Sequence, residues 1–138
     1  MISSLLDAGV VVIACGGGGI PVAWEDDHLV GVEAVVDKDL ASSMLATQVG
    51  AQKLIIVTSV DRVALDYGRP SQQWLDTITM DQARQYLVAG QFPPGSMGPK
   101  IQAAIDFLEH QGEECIITSV ECVAGAVTGN GGTHIVAR

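Results

Sequence analysis

The stretch Val35–Leu40 reads VVDKDL, a β-branched run that ends in two aspartates with a lysine between them. The chain carries only seven Lys and Arg against sixteen Asp and Glu, a net charge of −9. A cation at this place therefore asks for a reason. Asp37 is a good N-cap, which puts Lys38 in the first turn of a helix. Positive charge there opposes the helix dipole by some tenths of a kcal/mol. An anion seated at the terminus removes the conflict, because exposed N–H groups and the ammonium then point at the same ligand, and phosphate fits. Lys100 repeats the arrangement after Gly98–Pro99 in GSMGPK (Gly95–Lys100). Each lysine taken alone reads as a solvated side chain; it is the repetition that argues otherwise. Two of only three lysines placed this way point to one shared polyphosphate. Asp37 and Asp39 read as helix caps, as groups that orient the lysines or as neighbours of a metal-nucleotide, and Asp39 in the first turn favours the dipole in any case.

A second stretch, CGGGGIP (Cys15–Pro21), follows an apolar run. It is not a Walker A loop, since no Gly-Lys-Ser/Thr follows, and Pro21 spoils a dinucleotide fingerprint. Its backbone N–H groups suit an anion; the alternative is a turn set by packing. Cys15, Cys115 and Cys122 lack CxxC spacing and read as buried small hydrophobes. His28, His110 and His134 have no partner at metal-ligand spacing and read as surface or structural residues, so no protein metal ligand is assigned.

The elements that must hold these residues alternate. Ser3–Ala8 reads as a helix tail closed by Gly9. Val10–Cys15 and Lys53–Ser59 read as strands buried on both faces. His28–Val36 reads as a hairpin or extended entry. Asp37 opens a helix with Leu40, Ala41, Met44, Leu45 and Val49 on one face, ended by Gly50. Val60–Asp76 reads as loop and short strand. Thr79 and Gln82 form a capping box for a helix to about Ala89 with Met80, Ala83 and Leu87 inward. Pro99 suits a first helical turn, followed by the stripe Ile101, Ala104, Ile105 and Leu108. Glu114–Thr118 reads as a strand, Glu121–Thr128 as a short helix with Val123, Ala124 and Val127 inward, and Thr133–Val136 as the last strand. The pattern predicts one α/β domain over residues 1–138, a three-layer αβα sandwich on a mainly parallel sheet. Ligands of such sheets gather at the carboxyl ends of the strands, where the three glycine- and lysine-bearing stretches lie.

Hydrophobic residues make up 48% of the chain and aromatic residues 4%, so the core is aliphatic. The acidic balance argues against nucleic acid and anionic membranes as partners. No apolar run is long enough for a membrane span and Met1–Gly9 does not look like a signal peptide, so the expected location is the cytoplasm.

At these motifs the sequence resembles a known family. GGGGIPV (Gly16–Val22), AVVDKDLASSMLA (Ala34–Ala46), TSVDRVALDYGRPSQQ (Thr58–Gln73), GQFPPGSMGPKIQAAIDF (Gly90–Phe107) and ITSVECVAGAVTGNGGTHI (Ile117–Ile135) are similar to carbamate kinase, within the amino-acid kinase superfamily. The resemblance implies an open αβα fold, often a homodimer, that exchanges a phosphoryl group between ATP and carbamate to give carbamoyl phosphate and ADP, with Mg²⁺ carried mostly by phosphates and water. It implies Lys38, Lys100 and Asp39 as catalytic residues, the lysines on the phosphates and Asp39 orienting Lys38. It implies Asp37, Lys38, Asp61, Val63, Tyr67, Met97, Gly98 and Lys100 around the nucleotide, with Tyr67 and Met97 facing the base, and Gly17 and Gly18 near carbamate. Arg62 reads as a nucleotide contact or a solvated side chain. The similarity covers only the C-terminal, nucleotide-binding half of the family chain. The family's N-terminal glycine-rich segment and a further lysine have no counterpart here, so the chain alone is expected to be inactive. The expected partner is a second copy or a complementing N-terminal half; the rival readings are a non-catalytic nucleotide-binding or regulatory module, and a remnant kept for assembly with another chain.

Overall fold

The computed structural model describes residues 1–138. Helix α1 (Ile2–Asp7) leads to a hairpin of β1 (Val22–Glu25) and β2 (His28–Gly31). Then come α2 (Lys38–Gln48), β3 (Lys53–Thr58) and the short antiparallel pair β4 (Ala64–Leu65) and β5 (Gln73–Trp74). Strand β6 (Thr77–Thr79) runs straight into α3 (Met80–Val88), followed by α4 (Met97–Glu109), β7 (Glu114–Ser119), α5 (Val123–Val127) and β8 (Thr133–Val136).

The central sheet has the order β3-β7-β8-β6. The β3/β7 and β6/β8 pairs are parallel and β7/β8 is antiparallel, so the sheet is mainly parallel, as expected. Helices α2, α3 and α4 cover one face. There Ile101, Ala104, Ile105 and Leu108 of α4 bury against Leu54, Ile56, Cys115, Ile117, Ile135 and Ile78 of the four strands. Helix α5 covers the other face over β7 alone, where Ala126 and Gly132 meet Ile116 and Thr118.

Local signals hold. Asp37 caps α2, its Oδ1 accepting from Asp39 N at 2.7 Å, and the Thr79/Gln82 capping box is complete in both directions. Several expectations do not hold. Val10–Cys15 forms no strand: Val11 is 92% and Ile13 98% exposed, because an extended run becomes a strand only where another strand supplies ladder partners. Strand β3 is buried on one face only, with Ile55 and Val57 exposed on the other. Helix α2 buries Asp39 and Ser43, not the apolar stripe, leaving Leu40 and Met44 exposed. It packs beside α4, where small and polar residues fit the close approach. In α5 the inward residue is Ala126, while Ala124 and Val127 face out. Cys115 is buried, and burial pushes its thiol pKa up, but Cys15 and Cys122 are only half-buried because neither lies in the sheet.

On the face covered by α5, Glu114 lies between Lys53 Nζ at 2.6 Å and His134 Nδ1 at 2.7 Å. Hydrogen bonding from Lys53 above all, and from His134, holds the Glu114 carboxyl below its ordinary range against the opposing effect of burial. A carboxyl depressed in the folded state stabilises it above the unfolded pKa and loses that contribution as pH falls through the folded one. Urea midpoints are therefore expected to fall more steeply below about pH 4.5 for the wild type than for Glu114→Gln. Parallel slopes would remove Glu114 from acid stability.

Candidate functional site

Two helix N-termini meet beside the carboxyl ends of β3 and β7. Helices α2 and α4 pack against each other, so their first turns are neighbours. Lys100 Nζ lies 2.7 Å from Asp39 Oδ2, and Lys38 Nζ lies 3.4 Å from that same oxygen. Both ammonium groups thus touch one atom of one buried carboxylate. Lys100 is 12% exposed and Lys38 57%. The pair therefore combines a largely buried inner cation with a solvent-exposed outer one. The Ser96 side chain caps nothing on α4; the Gly98 N–H donates to the Pro93 carbonyl at 2.9 Å and Pro99 has no N–H, so of the first three helical positions only Met97 keeps an N–H for a ligand.

The glycine loop is docked onto this point. Gly18 has φ +151°, and a Cβ on it would lie 2.1 Å from the Val36 carbonyl oxygen. Cys15 Sγ reaches the Ala41 carbonyl at 3.8 Å. Gly17 has open space around it, and both glycines line a recess of about 490 Å³ with Ile20 and Val36. Gly18→Ala is expected to destabilise the docked loop by about 1–3 kcal/mol, while Gly17→Ala stays near neutral. Chemical denaturation with amide exchange at Gly16–Gly19 reads the difference; equal effects at the two positions would refute the docking.

Tyr67 and Met97 line one cavity of about 180 Å³ with Thr58, Ser59, Phe92 and Pro93. Asp37, Tyr67 and Gly98 border an adjoining open cleft of about 830 Å³. Gly98 sits tightly, a Cβ there lying 3.1 Å from the Pro93 carbonyl. Asp61 borders a third space of about 530 Å³ with Arg62, Trp74, Cys122 and Gly132. Hydrogen bonds from Ser119, then Cys122, with the charge of Arg62, hold the Asp61 carboxyl below its ordinary range. Arg62 pairs with Asp76 at 2.7 Å while lining the Tyr67–Met97 cavity.

Val63 is a correction. Its side chain is fully buried in the core, and its N–H donates to Thr133 Oγ1 at 2.8 Å, so it offers a ligand no surface. The aliphatic type of the residue carried that information; its place in a site-bearing loop obscured it. Phe92 and Trp74 were missed. The Trp74 ring meets Tyr67 edge-on, with centroids 6.3 Å apart at 74°. Only the β4–β5 pairing brings them together. Among the side chains there is no group of three or more Asp, Glu, His or Cys arranged to hold a metal ion, and no helix is long and apolar enough to cross a membrane.

Comparison with known proteins places this geometry. Residues 1–119 match the model of the amino acid kinase family. The chain is 46% identical over 136 residues to the carbamate kinase of Thermococcus kodakarensis, covering 99% of this chain and 43% of that protein. It is likewise 46% identical to a carbamate kinase-like protein of Escherichia coli, covering 98% of this chain and 43% of that one. Carbamate kinase from Giardia lamblia bound to AMP-PNP superposes with a TM-score of 0.92 at 40% identity, over 98% of this chain and 43% of that chain. The chain spans less than half the length of these relatives. With the family model matched across most of its residues and the same fold in a 40% identical kinase, this chain belongs to the amino acid kinase family.

Proposed function

We propose that the chain provides the nucleotide-binding half of a carbamate kinase-type phosphotransferase, reversibly moving a phosphoryl group between ATP and carbamate to give ADP and carbamoyl phosphate. The observation that carries this reading is the meeting of Lys38 and Lys100 on one Asp39 oxygen at two adjoining helix N-termini. Two ammonium groups at the N-termini of adjoining helices suit a nucleotide polyphosphate. The Tyr67–Met97 cavity beside them suits its base. As the bond from the γ-phosphorus to its bridging oxygen breaks and a bond to a carbamate oxygen forms, Lys100 and Lys38 stabilise the charge on the transferring group and on the ADP oxygen left behind. Such transfer asks chiefly for positioning and charge stabilisation. Asp39 positions both lysines and takes no proton. Mg²⁺ would neutralise phosphate charge when bound, and with Asp39 occupied by two lysines it would be held mostly by phosphates and water. Gly17 offers its backbone N–H toward carbamate, beside Gly18, whose own N–H closes the turn on the Cys15 carbonyl at 2.9 Å.

The exposed run around Val11 and Ile13 and the bare face of β3 at Ile55 and Val57 support assembly, with a complementing N-terminal half or as a homodimer. The acidic surface suits a cytoplasmic protein without nucleic-acid partners. The decisive assay couples ATP formation to carbamoyl phosphate and ADP. The chain alone is expected to bind ADP and turn over nothing, and addition of a family N-terminal half restores turnover. Full activity of the chain alone refutes the half-site reading. ADP binding without turnover, even with the added half, supports a non-catalytic nucleotide-binding module instead.

A further inference from the structure

We propose that His134 is a proton-operated clamp, whose doubly protonated ring ties the Gly129–Gly132 turn to the sheet and whose singly protonated ring releases it. The ring is 14% exposed on the α5-covered face of the sheet. Its Nδ1 lies 2.7 Å from Glu114 Oε1 and its Nε2 lies 3.0 Å from the Gly131 carbonyl oxygen. Both partners are pure acceptors. A neutral imidazole has one N–H and one lone pair, so either neutral tautomer turns a lone pair toward an oxygen at hydrogen-bond distance. Only the imidazolium donates to both.

The neighbours decide which bond goes first. Strand β7 contributes Glu114, and β3 contributes Lys53, held 2.6 Å from the other Glu114 oxygen. Strand β6 contributes Thr77, and the end of α5 contributes Thr128, neither of them charged. Asp76 accepts the His134 backbone N–H through its carbonyl at 2.8 Å, while its carboxylate pairs with Arg62. Lys53 keeps Glu114 ionised across the range in which imidazoles change charge. The remaining proton therefore stays on Nδ1, against the carboxylate, and Nε2 loses its own. Gly131 then faces a lone pair. Gly131 and Gly132, with φ of +96° and +79°, connect α5 to β8 and border the space that holds Asp61 and Arg62. Release of the turn is thus felt at the loop after β3. The clamp stands on these contacts whether or not the chain binds a nucleotide.

Ring ¹⁵N spectra of the full chain, recorded from about pH 5.5 to about pH 8.5, test it together with amide exchange corrected for intrinsic rates. The expected result is a doubly protonated His134 ring at the acid end and an Nδ1–H tautomer at the alkaline end. Protection at Gly131 and Gly132 should fall roughly tenfold across the same midpoint. His134→Gln abolishes the step, and His28→Gln and His110→Gln retain it. In Glu114→Gln the alkaline ring loses its preference for the Nδ1–H tautomer, because the carboxylate that faces Nδ1 is gone, which keeps the test open if His134→Gln fails to fold. A ring that stays neutral throughout, exchange that ignores its titration, a step that survives His134→Gln, or an Nδ1–H preference retained in Glu114→Gln would each overturn the clamp.

Discussion

Replacement of Phe107 by alanine is expected to remove about 3–5 kcal/mol of stability, the largest effect of any single change considered for this chain. The ring is fully buried in α4 and packs against Gly112, where a Cβ would lie 2.4 Å from its Cε1. Helix α4 is the element that presents Lys100 to the site and covers β7. A chain of this size has total stability of order 5–15 kcal/mol, so the loss lowers the thermal midpoint by roughly 10–20 °C. Phe107→Leu keeps most of the volume and costs about 1 kcal/mol. Gly112→Ala drives a methyl group into the ring and costs about 1–3 kcal/mol. Thermal and urea unfolding of the three variants measure the ranking. A Phe107→Ala protein within 1 kcal/mol of wild type would mean that α4 is not seated on the sheet as described.

The second large effect belongs to the site. Lys100→Ala is expected to weaken ADP binding by roughly 10–100-fold, or about 1.4–2.8 kcal/mol, as loss of a charge-assisted hydrogen bond to phosphate predicts. Lys38→Ala weakens it by about 3–10-fold, because that ammonium is 57% exposed and screened by solvent whereas Lys100 is 12% exposed. Adenosine has no phosphate, so its affinity should change in neither variant. Lys100→Arg does not rescue, since a planar fork cannot replace a compact ammonium against Asp39. Calorimetry with ADP and with adenosine separates a phosphate contact from general damage to the cavity. Unchanged ADP affinity in Lys100→Ala removes the lysine pair from nucleotide binding, and with it the main support for the kinase reading. Equal losses for ADP and adenosine would move Lys100 from phosphate contact to scaffold.

Much of this was legible in the chain because it is local. The Asp37 cap, the Thr79–Gln82 capping box and the Ile101–Leu108 stripe are decided by residues three or four apart, and each appears where its spacing puts it. Strand β8 spans the expected Thr133–Val136. The unusual lysines could also be seen, since a cation in the first turn of a helix conflicts with its dipole in any fold.

What the tertiary structure alone decided is which faces meet. Leu40 and Met44 form a helical stripe in the sequence, yet α2 turns Asp39 and Ser43 inward, because α4 beside it brings Lys100, which asks for a counter-ion. Val63 and Tyr67 belong to one loop, but only the register of β4 with β5 and the hydroxyl of Thr133 send the first into the core and leave the second at the cavity. Val10–Cys15 has the composition of a strand and no neighbour to complete it. Spacing along the chain sets a helix start or a turn through bonds a few residues long. An ion pair between residues 61 positions apart, or a ladder partner, depends on how separate elements pack, and that energy is written in no single stretch of sequence.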